Sequence, residues 1–321
     1  MNRGREMERK STAVAGPVLE VKNLSVSFRM YDRGLEQYDL KVISNLNLDV
    51  RPGEIVAVAG SSGSGKSLLA HAVMGLLPEN ASVEGEISYG GKLLEQKDME
   101  RLRGKEFALV PQSVTFLDPS MKVGPQVTGP RPSRERRQRQ REVFDRFHLA
   151  EAVDRLYPFQ LSGGMARRVL VSTAVLSGAS LILADEPTPG MDLEMALEAL
   201  QCFRELADEG RAVVLITHDI DLAFQVADRV AVFYAGTTVE TAPSGDFLRG
   251  PEALRHPYSK ALWNALPQNG FQPVPGFQPY AKALPKGCLY APRCPWRTEE
   301  CGGEIPMREL RGGMVRCIHA T

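Results

Sequence analysis

Eight residues carry the first chemical signal. Gly60-Ser61-Ser62-Gly63-Ser64-Gly65-Lys66-Ser67 fits G-x-x-x-x-G-K-[ST], the spacing of a phosphate-cradling loop. The glycines let the backbone curl so that successive N–H groups face phosphate oxygens. The helix that follows adds the positive end of its dipole. In that pattern Lys66 reaches the β- and γ-phosphates and the Ser67 hydroxyl ligates Mg²⁺. A second signal is the pair Asp185-Glu186, which closes the apolar run Leu181-Ile182-Leu183-Ala184. An acid at the end of a buried strand in a phosphate-loop protein faces Mg²⁺. Its neighbour can accept a hydrogen bond from an attacking water. Ser162-Gly163-Gly164 is a third: a serine N-cap with two glycines leaves a helix start open to an anion. By themselves these three residues fit a capped turn equally well. Gln112 and His218 each end an apolar run, where a polar side chain can look back toward a ligand. Taken singly, Gln112 reads as a solvated loop residue and His218 as structural.

The elements that position these groups are short. Ile55-Val56-Ala57-Val58-Ala59 is a buried-strand run and Leu68 to Met74 reads as a helix, stopped by Gly75 and Pro78. Alternation predicts strands over Val18–Phe28 and Lys41–Val50, with a hairpin at 83–94 turning on Gly90-Gly91. Buried strands are expected at 107–110, 181–186 and 212–217, and a last hairpin around Gly236. Helices are expected over 166–176, with Ser162 as N-cap, over 193–208, where Leu193, Leu197, Leu200 and Phe203 share a face, and over 142–156. Phe28, by pattern alone, is sheet packing. The run from Arg131 to Arg141 holds six arginines. It reads as a solvated helix face, with acidic lipid or a partner as the other use. The alternation of strand and helix, with motifs at strand C-termini, predicts an open α/β sheet that binds ligand along its carboxyl edge.

The whole chain sets the bounds. It has 321 residues, 43% of them hydrophobic, enough for one large domain with an appendage or for two domains. Formal net charge is zero, which argues against bulk capture of nucleic acid. No apolar run approaches a membrane span. Residues 1–17 are polar, without the apolar core of a secretory signal, and are expected to be a disordered lead-in. A cytosolic chain attached to a membrane only through partners follows. Four of the five cysteines, Cys288, Cys294, Cys301 and Cys317, fall in the last 34 residues, spaced C-x5-C-x6-C-x15-C. That spacing is wider than a zinc finger's paired C-x2-C. Four thiolates in a reducing compartment suit a [4Fe–4S] cluster, with zinc and free thiols as alternatives. Gln268 to Gly287 is Pro/Gly-rich and repeats Gly-Phe-Gln-Pro at 270–273 and 276–279, which predicts an extended connector. Cys202 reads as a small packing residue within a helix.

Taken together, the motifs resemble the ATP-binding subunit of an ABC transporter. The order matches over roughly residues 18–321: phosphate loop at Gly60–Ser67, Q-loop at Gln112, signature Leu161-Ser162-Gly163-Gly164-Met165, Walker B at Leu181–Glu186, D-loop ending at Asp192, switch His218. The signature ahead of Asp185-Glu186 does not fit a kinase, GTPase or helicase. More narrowly, Tyr157-Pro158-Phe159-Gln160 before the signature, His256-Pro257-Tyr258 and the cysteine-rich tail resemble the oligopeptide/dipeptide/nickel importer ATPases. Pro189-Gly190-Met191 departs from the D-loop's commoner Thr-Ala-Leu, with Asp192 retained.

The resemblance implies a P-loop NTPase fold with an antiparallel β subdomain, a helical subdomain at about 113–178 and a Cys-rich extension over 243–321, the ATPase domain spanning 18–242. It implies that Phe28 stacks on adenine and that two subunits sandwich two ATP molecules. Each ATP then lies between one chain's Gly60, Ser61, Gly63, Ser64, Gly65, Lys66 and Ser67 and the other chain's Ser162, Gly163 and Gly164. Ser67, Gln112 and Asp185 would order Mg²⁺, Glu186 would activate water and His218 would hold the γ-phosphate. The implied partners are a second ATPase subunit, related rather than identical, two transmembrane permeases and, indirectly, an extracytoplasmic solute-binding protein, at the cytoplasmic face of the membrane. A [4Fe–4S] cluster on the four tail cysteines is likewise a family property. The rival readings are a non-transport ABC ATPase in DNA repair or translation, and a metal- or redox-sensing module.

Overall fold

The computed structural model describes residues 16–32 and 34–321, so nearly all of the expected lead-in lies outside the described residues. The chain starts with two long strands, β1 (Leu19–Tyr31) and β2 (Gln37–Val50), paired antiparallel. β3 (Ile55–Gly60) runs through the phosphate loop into α1 (Lys66–Met74). β4 (Ala81–Tyr89) and β5 (Lys92–Leu93) turn at Gly90-Gly91, and α2 (Gln96–Leu102) leads to β6 (Phe107–Val110). A helical stretch follows: α3 (Val123–Thr128), α4 (Arg134–Arg146) and α5 (Gly163–Ser177). The chain then alternates through β7 (Leu181–Asp185), α6 (Leu193–Asp208), β8 (Ala212–Ile216), α7 (Ile220–Val226), β9 (Arg229–Tyr234) and β10 (Thr237–Pro243). Beyond them lie α8 (Ser244–Arg249), α9 (Pro257–Asn264), β11 (Arg308–Leu310) and β12 (Gly313–Val315).

Two sheets form. The order β2-β1-β4-β5 makes an antiparallel sheet of four strands; β11-β12-β10-β9-β3-β8-β7-β6 makes one of eight. In the larger sheet β9, β3, β8, β7 and β6 run parallel. A parallel strand is covered on both faces, so it reads as a continuous apolar run. β3 shows the consequence. Ile55, Ala57 and Ala59 enter a core shared with α5 and α6, while Val56 and Val58 enter a second core shared with α1 and the smaller sheet. β8 divides the same way, Val213 and Leu215 against Ala212, Val214 and Ile216. Each such Val, Leu or Ile contributes about 1.5–3 kcal/mol by leaving water. The phosphate loop therefore springs from a strand clamped on two sides.

The structure corrects one helix. The expected helix over 142–156 is not formed as such: α4 begins eight residues earlier and ends at Arg146, and 151–155 is a separate 3₁₀ turn. Ser133 supplies the reason at the start, its hydroxyl accepting the Arg136 N–H at 3.1 Å. At the end His148 takes a positive φ of 49°. The arginine run is thus the helix itself, with only Gln140 and Phe144 buried. The strands β1 and β2 also extend further toward their hairpin than alternation predicted, and the His256-Pro257-Tyr258 segment opens α9, with His256 as its N-cap.

The β11–β12 hairpin was not expected. β12 pairs with β10, so the end of the chain joins the main sheet. A buried charge cluster fastens it. Arg255, 1% exposed, lies 3.2 Å from the Glu240 carboxylate and 2.7 Å from that of Asp246, and donates to the Leu310 carbonyl at 2.6 Å. Glu240 also accepts the His256 N–H at 2.7 Å. Removing one member of such a group strands a buried charge, at a cost of about 3–5 kcal/mol. His256 is fully buried, its ring pushed down to about 3 by burial and so neutral, with Nδ1 accepting the Tyr258 N–H at 2.9 Å.

Candidate nucleotide site

The loop after β3 is shaped by close approach. A methyl group at Gly60 would overlap the Phe233 carbonyl of β9, so only glycine lets the two strands meet there. Gly65 sits at φ 91° as the N-cap of α1. Lys66 is buried and donates from Nζ to the carbonyls of Gly60 at 2.9 Å and Ser61 at 3.0 Å. Burial lowers its pKa, and the carboxylates of Glu186 and Asp185 oppose that shift. The ammonium is thus held over its own loop by two carbonyls. The Ser64 hydroxyl is buried with no hydrogen-bond partner, a polar atom turned inward in the cradle.

The strand ends bring the acids to this loop. Ser67 Oγ donates to Asp185 Oδ1 at 3.1 Å. Burial raises the Asp185 pKa; the Ser67 hydrogen bond opposes this and the Glu186 charge adds to it. A carboxylate raised by desolvation beside a serine hydroxyl is a donor set suited to a hard divalent cation. Glu186 sits just past β7 at a φ of 47°, its N–H donating to the Ile216 carbonyl at 2.8 Å. Its Oε2 accepts from Gln112 Nε2 at 3.3 Å and lies 3.4 Å from His218 Nδ1. Three residues that sequence assigned from separate strand ends therefore meet at one carboxylate oxygen. Such a carboxylate can orient and deprotonate a water.

Other expected residues stand apart from that cluster. Ser162 and Gly163 are exposed at the start of α5, where Ser162 Oγ accepts the Met165 N–H at 3.2 Å. Gly164 packs close to the Gly190 carbonyl, so signature and D-loop touch within the chain. Asp192 is the N-cap of α6, accepting the Met195 N–H at 2.9 Å. Phe28 sits opposite Leu40 and Ala81 in the smaller sheet and is half-buried against the second core.

Arg167 was not foreseen. It is buried in α5, donates to the Pro111 carbonyl at 2.7 Å and also bonds the Gln112 carbonyl. It thereby fixes the backbone from which Gln112 reaches Glu186. The available signal was an arginine two residues ahead of the run Val169 to Leu176, on a helix expected to be buried, where a charge needs a partner.

None of the five cysteines is in a disulfide; Cys202 lies in α6 and the other four in the tail. Burial pushes Cys202 up to about 12 and Cys317 up to about 11. Cys317 feels the charges of Cys288, Cys294 and Cys301, which brings the four tail thiols into one neighbourhood. Backbone N–H groups point at the sulfurs: Tyr290 and Ala291 at Cys288, Trp296 at Cys294, Thr298 at Cys301, His319 at Cys317. Among the described residues, no three His, Cys, Asp or Glu side chains converge on a single metal-ion position. No helix among them is long and apolar enough to cross a membrane.

Comparison with known proteins agrees with this geometry. Residues 43–189 match the family model described as ABC transporter, and residues 239–301 match that of the oligopeptide/dipeptide transporter C-terminal region. The chain is 32% identical over 320 residues to the oligopeptide transport ATP-binding protein OppD of Escherichia coli, covering 94% of this chain and 93% of that one. It is 35% identical over 309 residues to the dipeptide transport ATP-binding protein DppD of the same organism, covering 90% and 92%. Among solved structures, the dimeric structure of a bacterial ABC transporter cassette superposes with a TM-score of 0.60 at 28% identity, covering 70% of this chain and 98% of the cassette.

Proposed function

This chain belongs to the ATP-binding subunits of ABC transporters, in their oligopeptide/dipeptide branch, and from that premise we propose that it hydrolyses ATP to drive the import of peptides. The observation that carries the reading is the meeting of Gln112, Glu186 and His218 beside a complete phosphate loop, on a chain that also exposes Ser162 and Gly163. The loop receives one ATP; the exposed helix start serves the ATP of a second subunit. Peptides are preferred to nickel chelates as cargo because the relatives bear peptide-transport names.

In this reading Gly60 to Ser67 hold the phosphates, with Lys66 swinging its ammonium from the loop carbonyls toward the γ-phosphate. Ser67, Asp185 and Gln112 hold Mg²⁺, which when bound shields phosphate charge. Glu186 takes the proton of the attacking water, steadied by Gln112. His218, exposed and on the same carboxylate, turns to the γ-phosphate. Phe28 supplies a face for adenine. Asp192 and Ser162 lie on the surface that a second ATPase subunit covers, and ATP held between two subunits acts as their bond until it is cleaved. The chain sits peripherally at the cytoplasmic membrane face, beneath two permeases served by a solute-binding protein. Residues 18–242 form the ATPase unit and 243–321 the Cys-rich extension.

The test is uptake. Vesicles carrying the two permeases, the second ATPase and this chain on their inner face should accumulate short peptides from a loaded binding protein outside only with ATP enclosed in the lumen and this chain present. ATP-driven uptake of a nickel chelate, with none of peptide, would overturn the substrate class.

The tail thiols are read as ligands of a [4Fe–4S] cluster with a structural role. Four sulfurs in one neighbourhood, each facing a backbone N–H, suit a cluster, whose irons take one sulfur each, better than a single zinc ion that needs them to converge. Protein purified without oxygen should show a band near 400 nm, with iron and sulfide in near-equal amounts. One zinc per chain and no iron would overturn the assignment.

A further inference from the structure

The segment between α9 and the cysteines crosses the phosphate loop. Gln278 Oε1 accepts a hydrogen bond from Ser61 Oγ at 2.6 Å, from a residue 217 positions away in sequence. The phenol of Tyr258, in α9, is buried beside Ser61, whose hydroxyl and backbone oppose the rise that burial gives its pKa. Ser61 thus has two partners beyond β10, outside the nucleotide motifs.

The crossing segment is tied on both sides of that contact. On one side Arg293 donates to the Val274 carbonyl at 2.9 Å and to the Pro275 carbonyl at 3.0 Å. On the other, Lys282 Nζ lies 3.4 Å from the Asp32 carboxylate and 3.9 Å from the centre of the Tyr38 ring, at the β1–β2 hairpin. Prolines at 273, 275 and 279 favour an extended path for this stretch. Held at both ends, it becomes a strap with Gln278 over Ser61.

The strap has a route to the chemistry. Ser61 presents its hydroxyl to Gln278 and its carbonyl to Lys66 Nζ at 3.0 Å. Whatever fixes Ser61 fixes the loop backbone that meets the phosphates, and with it one of the two carbonyls on which the Lys66 ammonium rests before ATP arrives. We propose that Gln278, with Tyr258, is a positioning residue of the nucleotide site: the C-terminal extension holds the first turn of the phosphate loop in the form that accepts ATP. The extension is then a working part of ATP binding. This rests on the reading that the chain binds ATP at Gly60–Ser67.

A double-mutant cycle on the full-length chain tests it, with Mg-ATP affinity measured by calorimetry. Losing one hydrogen bond to the loop should weaken ATP binding roughly three- to tenfold in Gln278→Ala, and similarly in Ser61→Ala. The double variant should be no worse than either single one, because both remove the same contact. Gln278→Met, which keeps the side chain's length without its acceptor, should match Gln278→Ala. Gln278 lies on the half-exposed connector, so the thermal midpoint without nucleotide should fall by no more than about a few degrees. Unchanged affinity in Gln278→Ala, or penalties that multiply in the double variant, would overturn the proposal. A wild-type chain that binds no ATP would instead remove the reading beneath it.

Discussion

Glu186→Gln is expected to reduce ATP turnover by about 10²- to 10⁴-fold, the range for removing a general base. The geometry makes this substitution informative. Glu186 Oε2 is the shared neighbour of Gln112 Nε2 and His218 Nδ1. An amide there keeps the size and one acceptor oxygen, so the pocket stays built, but it cannot take the proton of water. Nucleotide should therefore still bind. ATP that is bound and not cleaved should hold subunits together, so the variant should elute as an ATP-dependent dimer, with its partner ATPase or with itself. Phosphate release is the measurement. Steady turnover near wild type would move the base elsewhere.

The second large effect is at Lys66. Its ammonium is the loop's one buried side-chain cation and donates to two carbonyls 2.9 and 3.0 Å away. Lys66→Ala removes the charge that meets the phosphates and leaves both carbonyls without their donor. A charged hydrogen bond contributes about 1.5–3 kcal/mol, so ATP affinity should fall by roughly one to two powers of ten. Calorimetric titration with Mg-ATP measures it; an unchanged affinity would refute the cradle. Adenosine, which carries no phosphate, should bind the variant and the parent alike.

Much of the larger sheet was legible because parallel strands are buried on both faces. β3, β7 and β8 appear in the sequence as unbroken apolar runs, and the motifs sit at their ends. The phosphate loop was legible because its residue types and spacing form one contiguous motif, although Gly60 answers to the Phe233 carbonyl and Ser61 to Gln278, far away in sequence. α4 was misplaced because its signal is charge. With only Gln140 and Phe144 inside, apolar spacing pointed downstream, while the Ser133 cap set the true start. β11 and β12 have three residues each, too few for alternation to speak, and exist because β10 offers an edge and Arg255 a buried anchor. The Gln112–Glu186–His218 cluster could be guessed only as three strand ends. Arg167 could be suspected as a charge beside an apolar run, but its partner Gln112 is 55 positions away, and the partner of Gln278, Ser61, is 217 positions away, so neither contact could be read from the chain.

The strand order has a consequence in time. β3, which launches the phosphate loop, is made early, yet its two neighbours in the sheet are β8 and β9. Neither exists until more than 150 residues later. At synthesis rates of about 5–20 residues per second, Ser61 waits on the order of ten to forty seconds for Gln278 to emerge. Until β8 and β9 emerge, partway through that interval, the apolar β3 lacks both neighbours and the loop lacks its walls. The nascent chain must keep β3 from pairing with the wrong strand, and a ribosome that stalls before β9 leaves a nucleotide motif with nothing to hold it in shape.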